Sequence, residues 1–167
     1  MKTWRLRKTL SRRIEVRPIE DADVRYAWAT YKKGGLAELG FAESLAADQF
    51  KAAFEETVLS KFPATWVVQT QTPKGFMPVG FVFGSWAPLG VYLIVMGISW
   101  CPWASKRNIL EGTVAFFNSI RKQLPWMGYA NDKHKKLYEV CCMHGIMRRI
   151  GTSHVLGGPA AVFEGRQ

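Results

Sequence analysis

One short segment has side chains suited to metal binding or nucleophilic catalysis, namely Cys141, Cys142 and His144. Thiolates and imidazoles ligate zinc, and they also serve as nucleophile and base. Neighbouring residues of a helix point about 100° apart, so the two thiols cannot readily share one ion. The chain has three cysteines, of which Cys101 is the third. That number excludes a four-cysteine zinc site and a disulfide framework. We therefore expect no metal and interpret the thiols as buried and reduced.

Basic residues offer a second chemistry, the binding of an anion. Lysine and arginine number 23 against 13 acids, a net charge of +10. At the start of a predicted helix, the run from Asp132 to Lys136 holds cations that a phosphate or carboxylate would stabilise. The N-terminal arm interleaves cations with apolar residues, and its candidate anion-binding residues are Lys2, Arg5, Arg7, Lys8, Arg12 and Arg13. Such an arm suits nucleic acid or an acidic protein groove, although a flexible tail has the same composition.

Length and apolar content indicate one globular domain. The chain has 167 residues, 48% of them hydrophobic and 13% aromatic, which excludes a disordered protein. We place a basic extension at residues 1–12 and a single domain at 13–167. Seven tryptophans exceed what a core of this size needs, so we expect interface anchors among Trp4, Trp86 and Trp103.

The stretch between Lys74 and Lys106 has no charged residue and is long enough to cross a membrane. Glycines and prolines interrupt it, and β-branched and aromatic residues flank a turn at residues 87–90. We therefore predict two buried strands of a hairpin and no membrane span. The N-terminus lacks the apolar stretch of a secretory signal.

Hydrophobic periodicity and turn residues predict the element order β-α-α-β-β-β-α-β-α-β-β, a mixed α/β sheet. An antiparallel meander feeds a βαβ unit whose strands can pair in parallel. Ser105 is expected to cap the helix after the meander, and Gly145 to end the last helix. The predicted strands are 13–17, 65–70, 78–86, 91–100, 126–130, 150–153 and 160–164, and the predicted helices are 21–32, 45–62, 106–123 and 132–143.

The pattern x-I-x-V-R-P-x-x-x-x-D at residues 13–23, together with this element order, resembles the GNAT superfamily of acyl-CoA-dependent N-acetyltransferases. Leu137-Tyr138-Glu139 followed by Gly145 is similar to that superfamily's last helix and its end. The resemblance covers residues 13–164. It implies a GNAT-like fold, an acetyl-CoA cofactor and acyl transfer to an amine.

The same resemblance identifies where the cofactor would bind. In the superfamily a segment P-x-x-R-G-x-G-x-G/A precedes the third main helix, and its small residues let backbone N–H groups approach a pyrophosphate. The equivalent residues start at Pro102, and the would-be cofactor residues are Ser105, Lys106, Arg107 and Asn108. None of the small residues is kept, and Leu110 is expected to obstruct the approach. We therefore expect no cofactor, with acetyl-CoA as the alternative.

The resemblance also implies a tyrosine acid in the last helix, and Tyr138 is the matching residue. Its distance in sequence from Gly145 exceeds the usual Y-E-x-x-G spacing, and a packed core side chain is the alternative interpretation. The strand at residues 91–100, a common source of the base in the family, contains no Asp, Glu or His.

Residues 144–153 and the short strand at Trp126 are similar to small internal virion proteins of tailed phages that have a GNAT-like outline. We therefore expect a non-catalytic GNAT-fold binding or structural protein, with protein partners in a phage virion or in the host cytoplasm. Two alternatives stay open. One is an active acetyl-CoA-dependent N-acetyltransferase, and the other is a nucleic-acid-binding protein.

Overall fold

A computed structural model describes residues 13–87, 93–123, 125–130, 135–155 and 158–165. Seven strands and four helices follow in the predicted order, which confirms the α/β fold class. Short 3-10 turns precede α1 and α2. The elements are β1 (Ile14–Pro18), α1 (Val24–Tyr31), α2 (Ala47–Ser60), β2 (Ala64–Thr72), β3 (Gly75–Trp86), β4 (Leu93–Trp100), α3 (Lys106–Ile120), β5 (Trp126–Ala130), α4 (Lys135–Met143), β6 (Met147–Val155) and β7 (Gly158–Gly165).

All seven strands form one sheet in the order β1-β2-β3-β4-β5-β7-β6. Neighbours are antiparallel except for β4 and β5, which are parallel because α3 crosses between them. The parallel pairing covers only Leu93–Val95 of β4 and Trp126–Gly128 of β5. Beyond that point β4 continues to Trp100 against β3 alone among the described strands. The sheet therefore opens between β4 and β5.

Helices cover both faces of the sheet, so its central strands are buried on two sides. On one face α3 and α4 enclose a core in which the Phe117 and Trp126 rings stack 4.5 Å apart. On the other face α1 and α2 enclose a second core around Phe50 and Phe54, whose ring centroids are 5.5 Å apart. The uncharged hairpin strand in β3 passes between them, as predicted, and Phe81 is fully buried. No helix in the described ranges is long and apolar enough to span a bilayer.

The R-P-x-x-x-x-D part of the motif has a clear structural reason. Arg17 donates from Nη1 and Nη2 to the two carboxylate oxygens of Asp23, at 2.7 and 2.8 Å. Asp23 also accepts the backbone N–H of Glu20 at 2.8 Å, and Arg17 Nε donates to Gln69 on β2 at 3.1 Å. The hydrogen bond to Asp23 raises the pKa of the Arg17 guanidinium. This pair fixes the first turn after β1 against the sheet.

Some boundaries differ from the prediction. β6 begins at Met147 rather than at residue 150, because it pairs with β7 from Met147–Gly165 to Val155–Gly158. A register shift between Arg149 and Gly151 breaks the alternation that would have revealed the longer strand. α3 ends at Ile120, three residues before the predicted end. Gly145 ends the α4 region in the left-handed conformation, with φ of 68°, as predicted.

Candidate functional site

A cleft of about 750 Å³ lies where the sheet opens between β4 and β5. Four elements form its walls: the loop after α1, the end of β4, the first turn of α3 and the middle of α4. The described residues that line it are Gly34, Gly35, Leu36, Ala37, Ile98, Ser99, Trp100, Lys106, Ile109, Lys136, Leu137 and Val140. Its surface is mainly apolar, with cations at two points.

The loop wall is held in a strained conformation. Leu36 is buried and lies in the left-handed region with φ of 63°, which costs a residue with a Cβ about 1–2 kcal/mol. Its backbone N–H donates to the buried Ser99 hydroxyl on β4 at 3.0 Å. Gly34, also left-handed with φ of 80°, ends α1 just before it. The loop therefore has a fixed position against the end of β4.

Trp100 forms another part of the wall, and two glycines make room for its ring. A Cβ at Gly80 would lie 2.5 Å from Trp100 Cε3, and one at Gly112 would lie 3.0 Å from Cη2. The indole is therefore lodged between β3 and α3. Its Nε1 is buried without a hydrogen-bond partner in the described part of the chain.

The first turn of α3 is closed by its own side chains. Ser105 Oγ accepts the Asn108 backbone N–H at 3.0 Å, and Asn108 Oδ1 accepts the Ser105 N–H at 3.1 Å. The predicted Ser105 cap is thereby confirmed, in the form of a reciprocal capping box. Two of the backbone donors at this helix end already have partners.

Leu110 and Ile109, which are neighbours in α3, lie differently with respect to the cleft. Leu110 is 41% exposed and is absent from the described cleft lining, whereas Ile109 and Lys106 line the cleft. Ile109, and not Leu110, therefore faces the cleft among the described residues, and the obstruction expected from Leu110 stays a prediction. Arg107 points along the helix surface, where its Nε lies 2.6 Å from Glu111 Oε1.

Cations face the cleft from two helices. Lys106 on α3 and Lys136 on α4 both line it, while the described lining contains no carboxylate, imidazole or phenol. Lys136 belongs to the basic run noted in the sequence; residues 131–134 of that run lie outside the described ranges. Within its described lining the cleft thus combines apolar walls with positive charge that no acidic residue of that lining balances.

No family model matches the sequence, and no curated protein matches it. Several solved structures, in contrast, are similar to this chain in fold. AAC(6')-Ib in complex with ribostamycin and coenzyme A superposes with a TM-score of 0.63 at 12% identity, covering 92% of this chain and 93% of that one. A GNAT-family acetyltransferase from Bacillus anthracis gives 0.61 at 14% identity, covering 92% and 95%. A spermidine N-acetyltransferase SpeG chimera from Vibrio cholerae and hSSAT gives a TM-score of 0.56 at 12% identity, covering 92% of this chain and 95% of that one.

This chain has the GNAT fold. At these identities the likeness extends to the fold alone.

Within the GNAT fold Tyr138, the proposed acid, lies in the core. It is 3% exposed, and its ring packs 5.3 Å from Phe117 and 4.9 Å from Phe163. Burial raises the pKa of its phenol far above the usual value, so the group stays protonated. Tyr138 is not among the described residues that line the cleft. This placement is that of a packed helix residue.

Two of the tryptophans predicted as interface anchors, Trp86 and Trp103, are exposed at different places. Trp86 is 40% exposed at the end of β3, and Trp103 is 36% exposed in the turn before α3. Trp103 Nε1 donates to the Pro78 carbonyl at 2.8 Å, and its ring meets the Tyr26 ring edge-on at 6.0 Å. Both present an aromatic surface to solvent.

The N-terminal candidates fall almost entirely outside the described residues, namely Trp4, Lys2, Arg5, Arg7, Lys8 and Arg12. Arg13 is exposed, and its carbonyl accepts the Gln71 N–H at 2.7 Å. The domain thus begins, within the described residues, at an edge of the sheet.

The thiols do not gather with other ligands. In the described ranges no three His, Cys, Asp or Glu residues lie close enough to hold an ion. Cys101 and Cys141 are buried, and Cys142 is half-buried. Burial raises the pKa of Cys101 to about 11 and that of Cys141 to about 12.

We expect these thiols to react unequally with a disulfide reagent at pH 8. Cys142 should react within minutes, and Cys101 and Cys141 at least about 100-fold more slowly, because only the thiolate attacks. Burial of the thiols also makes the free energy of unfolding fall as the pH rises from about 9 toward the folded pKa values, since unfolded thiols ionise first. Stopped-flow absorbance of the disulfide reagent, with Cys142→Ser as the control, measures the reaction rates of the thiols. Equal rates for all three thiols would contradict the described burial.

Sequence reasoning missed much of the cleft wall. Leu36 and Ser99 gave no signal, because neither a left-handed leucine nor its long-range bond has a local pattern. Trp100 had no signal beyond being one of the seven tryptophans. Lys136 had a signal, since a cation near a helix start is unfavourable without an anionic partner.

Proposed function

We propose that this GNAT-fold chain acts by binding a partner and not by acetyl transfer. The observation that carries the proposal is the capping box at the start of α3. The Ser105 and Asn108 N–H groups, at the helix end where a pyrophosphate would need free donors, are bonded to side chains. A phosphate that used these two donors would have to displace both bonds. These residues do not fit coenzyme A in the way the family pattern implies.

The lack of a carboxylate, imidazole or phenol among the described residues of the cleft supports the same proposal. Acetyl transfer to an amine needs a base for the ammonium group and often an acid for the departing thiolate. β4 carries no Asp, Glu or His, and the phenol of Tyr138 is enclosed by the core. The described lining of the cleft offers no carboxylate, imidazole or phenol for either role.

An active N-acetyltransferase with an unusual loop is the second candidate. The position of the cleft at the opening of the sheet and its two lysines favour it, because phosphate groups bind to such cations. The neighbour AAC(6')-Ib was solved with coenzyme A. This candidate requires measurable acetyl transfer to an amine and loss of turnover in Tyr138→Phe.

The setting we propose is a phage virion, with a protein partner in the assembly. The similarity of residues 144–153 to internal virion proteins supports it. Genes for portal, tail or capsid proteins next to this one would strengthen the proposal, and a metabolic operon would weigh against it. The nucleic-acid alternative requires binding that falls steeply with salt and weakens when residues 1–12 are removed.

Isothermal titration calorimetry with acetyl-CoA tests the proposal. We expect the natural chain to bind more weakly than about 1 mM, which is under about 4 kcal/mol of binding free energy. Ser105→Gly combined with Asn108→Gly should bind at least about tenfold more tightly than the natural chain, because it removes both side chains of the capping box and frees the two backbone donors.

The matched control is Asn118→Gly, which puts the same kind of change near the other end of α3 and should leave the affinity unchanged. Micromolar binding of acetyl-CoA by the natural chain would contradict the proposal. A double variant that gains nothing would contradict the role given to the capping box.

A further inference from the structure

The end of β4 presents an open strand edge to the cleft. The Cys101 N–H donates to Val79 on β3 at 2.9 Å, and Ser99 pairs with β3 in the same register. Because hydrogen bonds along an antiparallel strand alternate between its two sides, the backbone groups of Ile98 and Trp100 face away from β3. No described strand pairs with β4 on that side beyond Val95. Such an edge is a template for an added strand.

The surroundings of this edge select the kind of strand that would fit. The apolar side chains of Leu36, Ile109, Leu137 and Val140 line the cleft beside it, and Lys106 and Lys136 stand on two walls. Acidic residues are missing from the described lining. An extended segment that alternates apolar and acidic side chains would satisfy both features.

We propose that the cleft binds an extended acidic peptide segment of a partner protein, which adds as a strand to the open edge of β4. This rests on the proposed binding function and names its partner. A second copy of the chain is a poor occupant, because two molecules of net charge +10 repel each other. Main-chain hydrogen bonds to Ile98 and Trp100 supply affinity, and the two lysines supply the preference for acids.

Binding of synthetic hexapeptides to the full chain tests this inference. The probe is a library in which each position is Asp, Glu, Val, Leu, Ser or Lys, read by fluorescence anisotropy. We expect the tightest peptides to be enriched in Asp and Glu and to bind less tightly at higher salt. Lys106→Gln with Lys136→Gln should weaken them at least about fivefold, whereas Lys74→Gln, in the exposed turn between β2 and β3, should not.

Backbone methylation tests the strand geometry separately. The backbone N–H groups of every second peptide residue face β4, and those of the residues between them face away. Methylating the nitrogens of the first set should abolish binding. Methylating those of the second set should leave the affinity within about twofold. Equal effects of the two sets, no enrichment of acids, no peptide binding, or indifference to the two lysines would each overturn the inference. These outcomes are distinct from failure of the proposed function, which micromolar binding of acetyl-CoA would show.

Discussion

Asp23→Ala is expected to lower the free energy of unfolding by about 3–5 kcal/mol, the cost of leaving one partner of a buried ion pair alone. Asp23 is 2% exposed and accepts both Nη atoms of Arg17 as well as the Glu20 N–H. Without the carboxylate, the guanidinium keeps, among the described residues, its bonds to Gln69 and to the Pro18 carbonyl. The first turn after β1 would lose its attachment to the sheet.

Urea denaturation followed by circular dichroism measures this effect, and a drop of roughly 6–20 °C in Tm should accompany it. Asp21→Ala is the matched control, because Asp21 lies in the same 3-10 turn and is exposed. It should change stability by less than about 0.5 kcal/mol. A loss below about 1 kcal/mol in Asp23→Ala would show that the Arg17–Asp23 pair does not fix this turn.

Gly80→Val is expected to destabilise the chain by about 3 kcal/mol and to alter the cleft. A Cβ at this position would lie 2.5 Å from Trp100 Cε3 and 2.7 Å from Cζ3, and an indole cannot bend away as a flexible side chain can. The ring would have to leave its place between Gly80 and Gly112. Overpacking of this kind in a closed core costs 1–3 kcal/mol and sometimes more.

Thermal unfolding and tryptophan fluorescence report the two consequences. The variant should melt about 6–12 °C lower, and its emission should shift as Trp100 moves. Gly151→Ala serves as the control, because nothing lies within 4 Å of a Cβ there, and it should leave both readouts unchanged. A variant as stable as the natural chain would mean that Trp100 is not confined by Gly80.

The sequence predicted the fold well because its local signals agree with one another. Alternation at Ile14 and Val16, the run of β-branched and aromatic residues in β3, and the Ser105 cap each marked an element that the structure contains. The crossover through α3 then made β4 and β5 parallel. Local patterns failed at element ends, where tertiary pairing extended a strand to Met147 and where α3 stopped at Ile120.

The candidate site was predictable only in part, since it depends on contacts between distant segments. Ser105 and Lys106 were located from the start of a helix. Ile109 and Leu110 are neighbours on the apolar stripe of α3, and sequence could not decide which one faces the cleft. The left-handed Leu36 bonded to Ser99, 63 residues later, has no signature in the chain.

We propose that the first turn of α3 does not receive a pyrophosphate. An NMR titration of the ¹⁵N-labelled full chain with coenzyme A tests it most directly, because the amides of Lys106, Arg107 and Asn108 report on that turn. We expect no saturable shift of these amides up to about 1 mM ligand. Saturable shifts there, with a micromolar midpoint, would contradict it.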